Sequence, residues 1–167
     1  MKYNIILVFL LTFSFIACEK NNDSVKAELE KALPQIQITS MGLVTQVGPY
    51  ATNDIIAVNF GGAITNAQSG SFDIAWYDVP AGSVQPKLID SLHFKSWNDT
   101  IGTGNSTNIV NTTLTPTTYP NTSVFSGRLL LRLSKLPAAK PYTLALYART
   151  ANGNTARVST TRFVTIK

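Results

Sequence analysis

The sequence holds one cysteine and one histidine in 167 residues. With Cys18 alone, no disulfide can form within the chain. With His93 alone, metal centres built on several His or Cys ligands are excluded. A Ser-His-Asp site would have to run through His93, and no Gly-x-Ser-x-Gly turn accompanies it. Charged residues make up only 14% of the chain, and no Asp or Glu follows Asp99. Asp73 and Asp78 are near in sequence and could in principle form the carboxylate pair that sugar hydrolysis uses, but strand alternation turns Asp73 away from the Trp76 face and Asp78 ends the strand. Asp99 alone, in the loop-like stretch 98–108, is too little charge for a firm calcium site. These shortages point to a non-catalytic chain without metal or cofactor.

A membrane-spanning apolar run is also missing. The apolar stretch Ile5–Ala17 is thirteen residues long, whereas a spanning helix needs about twenty. Lys2 precedes it and a small residue, Ala17, ends it, which is the pattern of a cleaved export signal. The junction Phe15-Ile16-Ala17-Cys18 resembles the lipobox of bacterial lipoproteins, with Phe15 where Leu is usual. The resemblance implies that residues 1–17 are a signal peptide, that the Cys18 thiol carries a diacylglyceryl group, and that the freed amino group is acylated. Two or more acyl chains, palmitate among them, give stable membrane anchoring. Glu19 is not the Asp that enteric bacteria use for inner-membrane retention, so the outer membrane is the expected address, with its side left open.

Residues 18–34 read as a tether. Glu19–Asp23 is polar, and Ser24–Leu33 has the spacing of one short helix, with Lys26 and Glu30 an i,i+4 pair and Pro34 as its stop. From residue 35 to 167 the period changes to two. Strand-like segments run over Ile36–Val47, with a bulge near Ser40-Met41, and over Ile55–Gly61, Ser71–Asp78 and Leu88–Trp97. More follow at Thr107–Leu114, Phe125–Leu133, Tyr142–Thr150 and Val158–Ile166. Gly, Pro and Asn punctuate them. Seven to eight strands so divided predict an all-β sandwich.

The segment Leu136-Pro-Ala-Ala-Lys-Pro-Tyr142 sets a Leu six residues before a Tyr that opens a strand. This spacing resembles the tyrosine corner of immunoglobulin-like and fibronectin type III domains, and Trp76 matches their core tryptophan. The resemblance implies a two-sheet sandwich in which the Tyr142 hydroxyl bonds back to the chain at the corner between sheets. It implies little about function, since such domains serve many.

Charge is unevenly laid out. Residues 19–99 carry nine acids against five lysines, and residues 100–167 carry eight basic residues and no acid. The basic half could attract a polyanion, or its residues could simply solvate outward strand faces. Nucleic acid is not expected as a partner. Tyr77, Trp97, Tyr119, Phe125 and Tyr147 are candidate exposed aromatics for stacking against sugar rings. Tyr77 and Tyr147, with Arg149, Arg128 and Arg132, form the candidate ligand-binding set. Asp23-Ser24-Val25, Asp90-Ser91-Leu92 and Asp99-Thr100-Ile101 resemble the O-glycosylation signal of one Gram-negative lineage, which implies Ser24, Ser91 and Thr100 as modification sites. The sequence thus predicts a lipid-anchored envelope protein. Its role is that of an interaction or accessory subunit with an envelope protein partner or, alternatively, a surface glycan-binding module.

Overall fold

The computed structural model describes residues 35–44, 48–67, 69–78, 85–133, 135–151, 155–159 and 164–167. The expectations for residues 1–34, Cys18 and Ser24 included, lie outside these. The described chain forms ten strands. They are β1 (Ile36–Leu43), β2 (Ile55–Thr65), β3 (Gly70–Asp78), β4 (Leu88–Phe94), β5 (Asp99–Ile101), β6 (Asn108–Pro116), β7 (Thr122–Arg132), β8 (Lys140–Thr150), β9 (Thr155–Ser159) and β10 (Val164–Ile166). One sheet has the order β1-β2-β7-β6-β5. The other has the order β10-β8-β3-β4, with β9 also paired to β8. All strand pairs are antiparallel.

The order β1-β2-β7-β6 is that of strands A-B-E-D of an immunoglobulin sandwich, and β8-β3 with β9 and β10 beside β8 gives G-F-C. The fold is therefore the all-β sandwich that the alternation predicts, with the immunoglobulin-like strand order that the resemblance implies and with more strands than the sequence suggests. The final segment is two strands, β9 and β10, each pairing with a different part of β8. The added strand β5 falls inside the loop-like stretch 98–108. Its composition hides it because side chains bind backbone there: Asp99 accepts from the amides of Lys95 and Thr100, Asn98 from Thr112, and Asn108 from Arg132. These bonds add to the ladder in which Asp99, Thr100 and Ile101 pair with Val110, Ile109 and Asn108. The bulge in β1 lies between Ile38 and Ser40.

Period-two alternation builds the core. Ile56, Val58, Phe60 and Ile64 of β2 are buried with Leu129 and Leu131 of β7, Phe72, Ile74 and Trp76 of β3, and Tyr142, Leu144 and Leu146 of β8. In two register pairs a phenyl ring faces a glycine: Phe60 with Gly127, and Gly62 with Phe125. A side chain on either glycine would overlap a ring. Phe72 and Trp97 complete a four-ring cluster between the sheets, with centroids 5.0 Å apart for Phe60–Phe72 and 5.2 Å for Trp97–Phe125. Trp97 and Phe125 are therefore core residues, 4% and 3% exposed, not the surface aromatics the sequence suggested. Phe125 shares the inward phase of Leu129, and Trp97 folds inward after β4 ends at Phe94.

At the corner between β7 and β8, the Tyr142 hydroxyl donates to the Pro137 carbonyl at 2.7 Å, over a buried Leu136. Burial, followed by the negative charge of Asp78, raises the Tyr142 phenol above its usual range, so it stays a donor. This bond ties the crossing between sheets to the first turn of β8.

Candidate functional site

The outward residues of the second sheet are set by pairing. On β3 they are Asp73, Ala75 and Tyr77. On β8 they are Ala145, Tyr147 and Arg149. The register aligns His93, Asp73, Tyr147 and Arg157 in one row across β4, β3, β8 and β9. The adjacent row holds Ser91, Ala75 and Ala145. Small side chains in that row leave a shallow groove of about 290 Å³, lined by Asp73, Ala75, Tyr77, Ser91, His93, Tyr147 and Arg149 among others.

Asp73 is the hub of the row. Its Oδ1 lies 2.5 Å from His93 Nδ1, and its Oδ2 accepts from Arg149 Nε at 2.6 Å. Burial raises the Asp73 pKa, but the bonds to His93 and Arg149 and their charges outweigh it. The carboxyl is held below the ordinary value of 3.8, so it is ionised at neutral pH.

The two tyrosines meet through their hydroxyls, 3.1 Å apart. Burial and the bond to Tyr77 raise the Tyr147 phenol, against the pull of Arg157. The Arg157 guanidinium carbon lies 5.5 Å from the centre of the Tyr147 ring and 6.0 Å from that of Tyr77. A cation over two ring faces is a favourable arrangement. It also covers those faces, and both tyrosines are half-buried rather than exposed.

Of the candidate ligand-binding set, this face brings together Tyr77, Tyr147 and Arg149. Arg128 and Arg132 stand on the outer face of the other sheet. Arg128 has Asn59 and Asn111 as register partners, and Arg132 donates from Nη1 to the Asn53 carbonyl at 2.8 Å. The described basic residues of the second half therefore do not form one patch, because β7 belongs to one sheet and β8 and β9 to the other. Tyr119 is 74% exposed and sits in the β6–β7 hairpin, remote in sequence from this row. Ser91 and Thr100 are both exposed. The aspartates preceding them have structural partners: Asp90 pairs with Lys135 at 3.6 Å, and Asp99 holds its loop.

His93, Asp73 and Arg157 complete the row, and sequence reasoning assigned none of them to it. Alternation alone placed Asp73 and Tyr147 outward. Which strands pair, and in what register, is not written in period two.

Ser91 and His93 share one face of β4, next to Asp73. Among the described residues no hydrogen bond joins Ser91 to His93. The ladder also occupies the β3 and β8 amides that would otherwise serve as oxyanion donors.

No family model matches the chain, and no curated protein matches it. Solved structures similar to it include vertebrate astrotactin-2, a DUF4466 family protein from Parabacteroides merdae and the sporulation control protein Spo0M from Bacillus subtilis. Astrotactin-2 is 16% identical with a TM-score of 0.36, over 76% of this chain and 22% of its own. The DUF4466 protein is 13% identical with a TM-score of 0.44, over 79% and 46%. Spo0M is 10% identical with a TM-score of 0.41, over 81% and 50%. The chain thus spans half or less of each. Likeness at this level says nothing of ligand or activity.

Proposed function

We propose that the chain is a non-catalytic lipoprotein, anchored at the cell envelope through Cys18, and that the outer face of its second sheet binds carbohydrate. The anchor is supported by the export-signal pattern of residues 1–17 and the lipobox-like junction at Cys18. The binding face is supported by one observation above others. Two hydroxyl-linked tyrosines, a histidine, an aspartate and two arginines converge on the otherwise flat outer face of the β3–β8 pair. Sugar recognition uses such a mix of planar side chains and fixed polar groups.

Affinity electrophoresis through gels carrying a panel of neutral and acidic polysaccharides tests this. Retardation by at least one polysaccharide is expected, lost in Tyr147→Ala, weakened in Tyr147→Phe and kept in Arg128→Ala. Unretarded migration of the wild type in every gel would overturn the carbohydrate reading.

A second reading, an accessory subunit bound to an envelope protein, is favoured by the edge of the same sheet. β4 ends the sheet order, and Leu88 at its start is 50% exposed. An edge of this kind is a template for an added strand. Crosslinking in intact cells from Leu88 to one defined envelope protein, with unretarded migration in gels, would select this reading over the first.

A further inference from the structure

We infer that the carbohydrate is acidic, and that Arg157 is the residue that recognises its carboxylate. This rests on the carbohydrate reading above.

A neutral sugar platform offers bare aromatic faces. Here the guanidinium of Arg157 lies over both the Tyr77 and the Tyr147 rings. The group reaching the ligand is then the cation, with the rings behind it. Arg157 is exposed, and a guanidinium can meet a carboxylate in two parallel bonds.

Charge balance gives the same answer. Three groups of the face carry fixed charge: Asp73, Arg149 and Arg157. Asp73 is already matched by Arg149 at 2.6 Å. Among the described residues no carboxylate lies within ion-pair distance of Arg157, so none of them neutralises its positive charge directly. The other described acids are engaged elsewhere: Asp54 accepts from the Ala51 amide, Asp78 from the Lys87 amide, Asp90 pairs with Lys135, and Asp99 holds its loop.

The hydrogen-bonding groups of the groove favour a sugar acid over an acidic peptide. Ser91, His93, Tyr77 and Tyr147 line the groove with Ala75, and Arg157 reaches it over the rings of the two hydroxyl-linked tyrosines. A uronic acid carries ring hydroxyls next to its carboxylate and matches those groups. A peptide of Asp and Glu has no ring hydroxyls and meets the groove with backbone amides and carbonyls only.

The test titrates the whole protein with short oligogalacturonides, with neutral oligosaccharides of equal length, and with poly-glutamate of matched charge. The variants are Arg157→Gln and Arg157→Lys. Arg157 is exposed, and an unchanged melting temperature establishes that each variant is folded. Expected are preference for the oligogalacturonide, a loss of about tenfold or more in Arg157→Gln, and a smaller loss in Arg157→Lys, which keeps the charge and loses the fork. Added salt weakens the binding.

Neutral oligosaccharides bound as tightly, with Arg157→Gln unaffected and Tyr147→Ala defective, would overturn this inference and leave the carbohydrate reading standing. Poly-glutamate bound as tightly as the oligogalacturonide would overturn the sugar-acid assignment. No binding to any saccharide would overturn both.

Discussion

Tyr147 on β8 and Arg157 on β9 are register partners, and the guanidinium sits 5.5 Å from the ring centre. A cross-strand pair is the unit from which sheets are stabilised. This one also dictates what the sheet shows to solvent. The pair turns an aromatic surface into a cationic one backed by aromatic rings, and it joins to Tyr77 through a hydroxyl contact. Asp73, one row position away on β3, is satisfied by other partners, so the charge of Arg157 remains available.

Asp73 gives a pH signature. Its carboxyl is held below its value in the unfolded chain, so its contribution to stability is complete above about pH 4 and is lost as pH falls through the lowered value. The melting temperature of Asp73→Asn should therefore lie below that of the wild type at pH 5, and the gap should shrink toward pH 2.5. A gap independent of pH across that window would contradict the bonding described for Asp73.

Gly70 begins β3 where it passes close to β8. A Cβ there would overlap the backbone oxygen of Arg149 and the indole nitrogen of Trp97. A backbone atom held in a ladder cannot swing aside. Gly70→Ala should cost about 1–3 kcal/mol in denaturant unfolding, as overpacking does. Gly42→Ala meets no atom within 4 Å and should leave stability unchanged or raise it by up to about 1 kcal/mol. Equal effects at the two positions would contradict the packing.

Tyr142→Phe removes the 2.7 Å bond to Pro137 and leaves the ring. A loss of about 1 kcal/mol is expected, seen as a lower denaturation midpoint with unchanged slope. Leu136→Ala, at a residue 3% exposed, should cost about 2–5 kcal/mol through lost burial and a cavity. If Tyr142→Phe were as costly as Leu136→Ala, the corner would be held by something other than this bond.

Cys18→Ser should move the protein from the detergent-requiring membrane fraction of its native cells to the soluble fraction, because serine offers no thiol for a diacylglyceryl group. Labelled palmitate should enter the wild type and not the variant. A variant that stayed in the membrane, or a wild type that took no label, would contradict lipid anchoring.

The sandwich was legible because its core strands alternate strictly. Leu129 and Leu131 on one side of β7, Leu133 just past its end, and Phe72, Ile74 and Trp76 on one side of β3 are buried. The corner was legible because it joins two residues at fixed sequence spacing, Leu136 and Tyr142. β5 was not, because three residues in an Asn-, Gly- and Thr-rich stretch carry no alternation and are held by the side chains of Asn98, Asp99 and Asn108 as well as by the ladder. Half of the binding face was legible as well. Alternation turned Tyr77, Tyr147 and Arg149 to one side. Arg128 and Arg132 share that outward phase but belong to the other sheet. His93 and Arg157 join the row only through register, which couples residues 20 and 10 positions away from Asp73 and Tyr147.

The central claim, that the outer face of the β3–β8 pair is the recognition surface, is tested most directly residue by residue. Backbone amide NMR spectra of the domain, recorded during titration with oligogalacturonide, should shift at residues 73–77, 91–93, 145–149 and 157. Amides around Asn59, Asn111 and Arg128 on the opposite sheet should stay in place. Shifts confined to that opposite sheet would contradict the account.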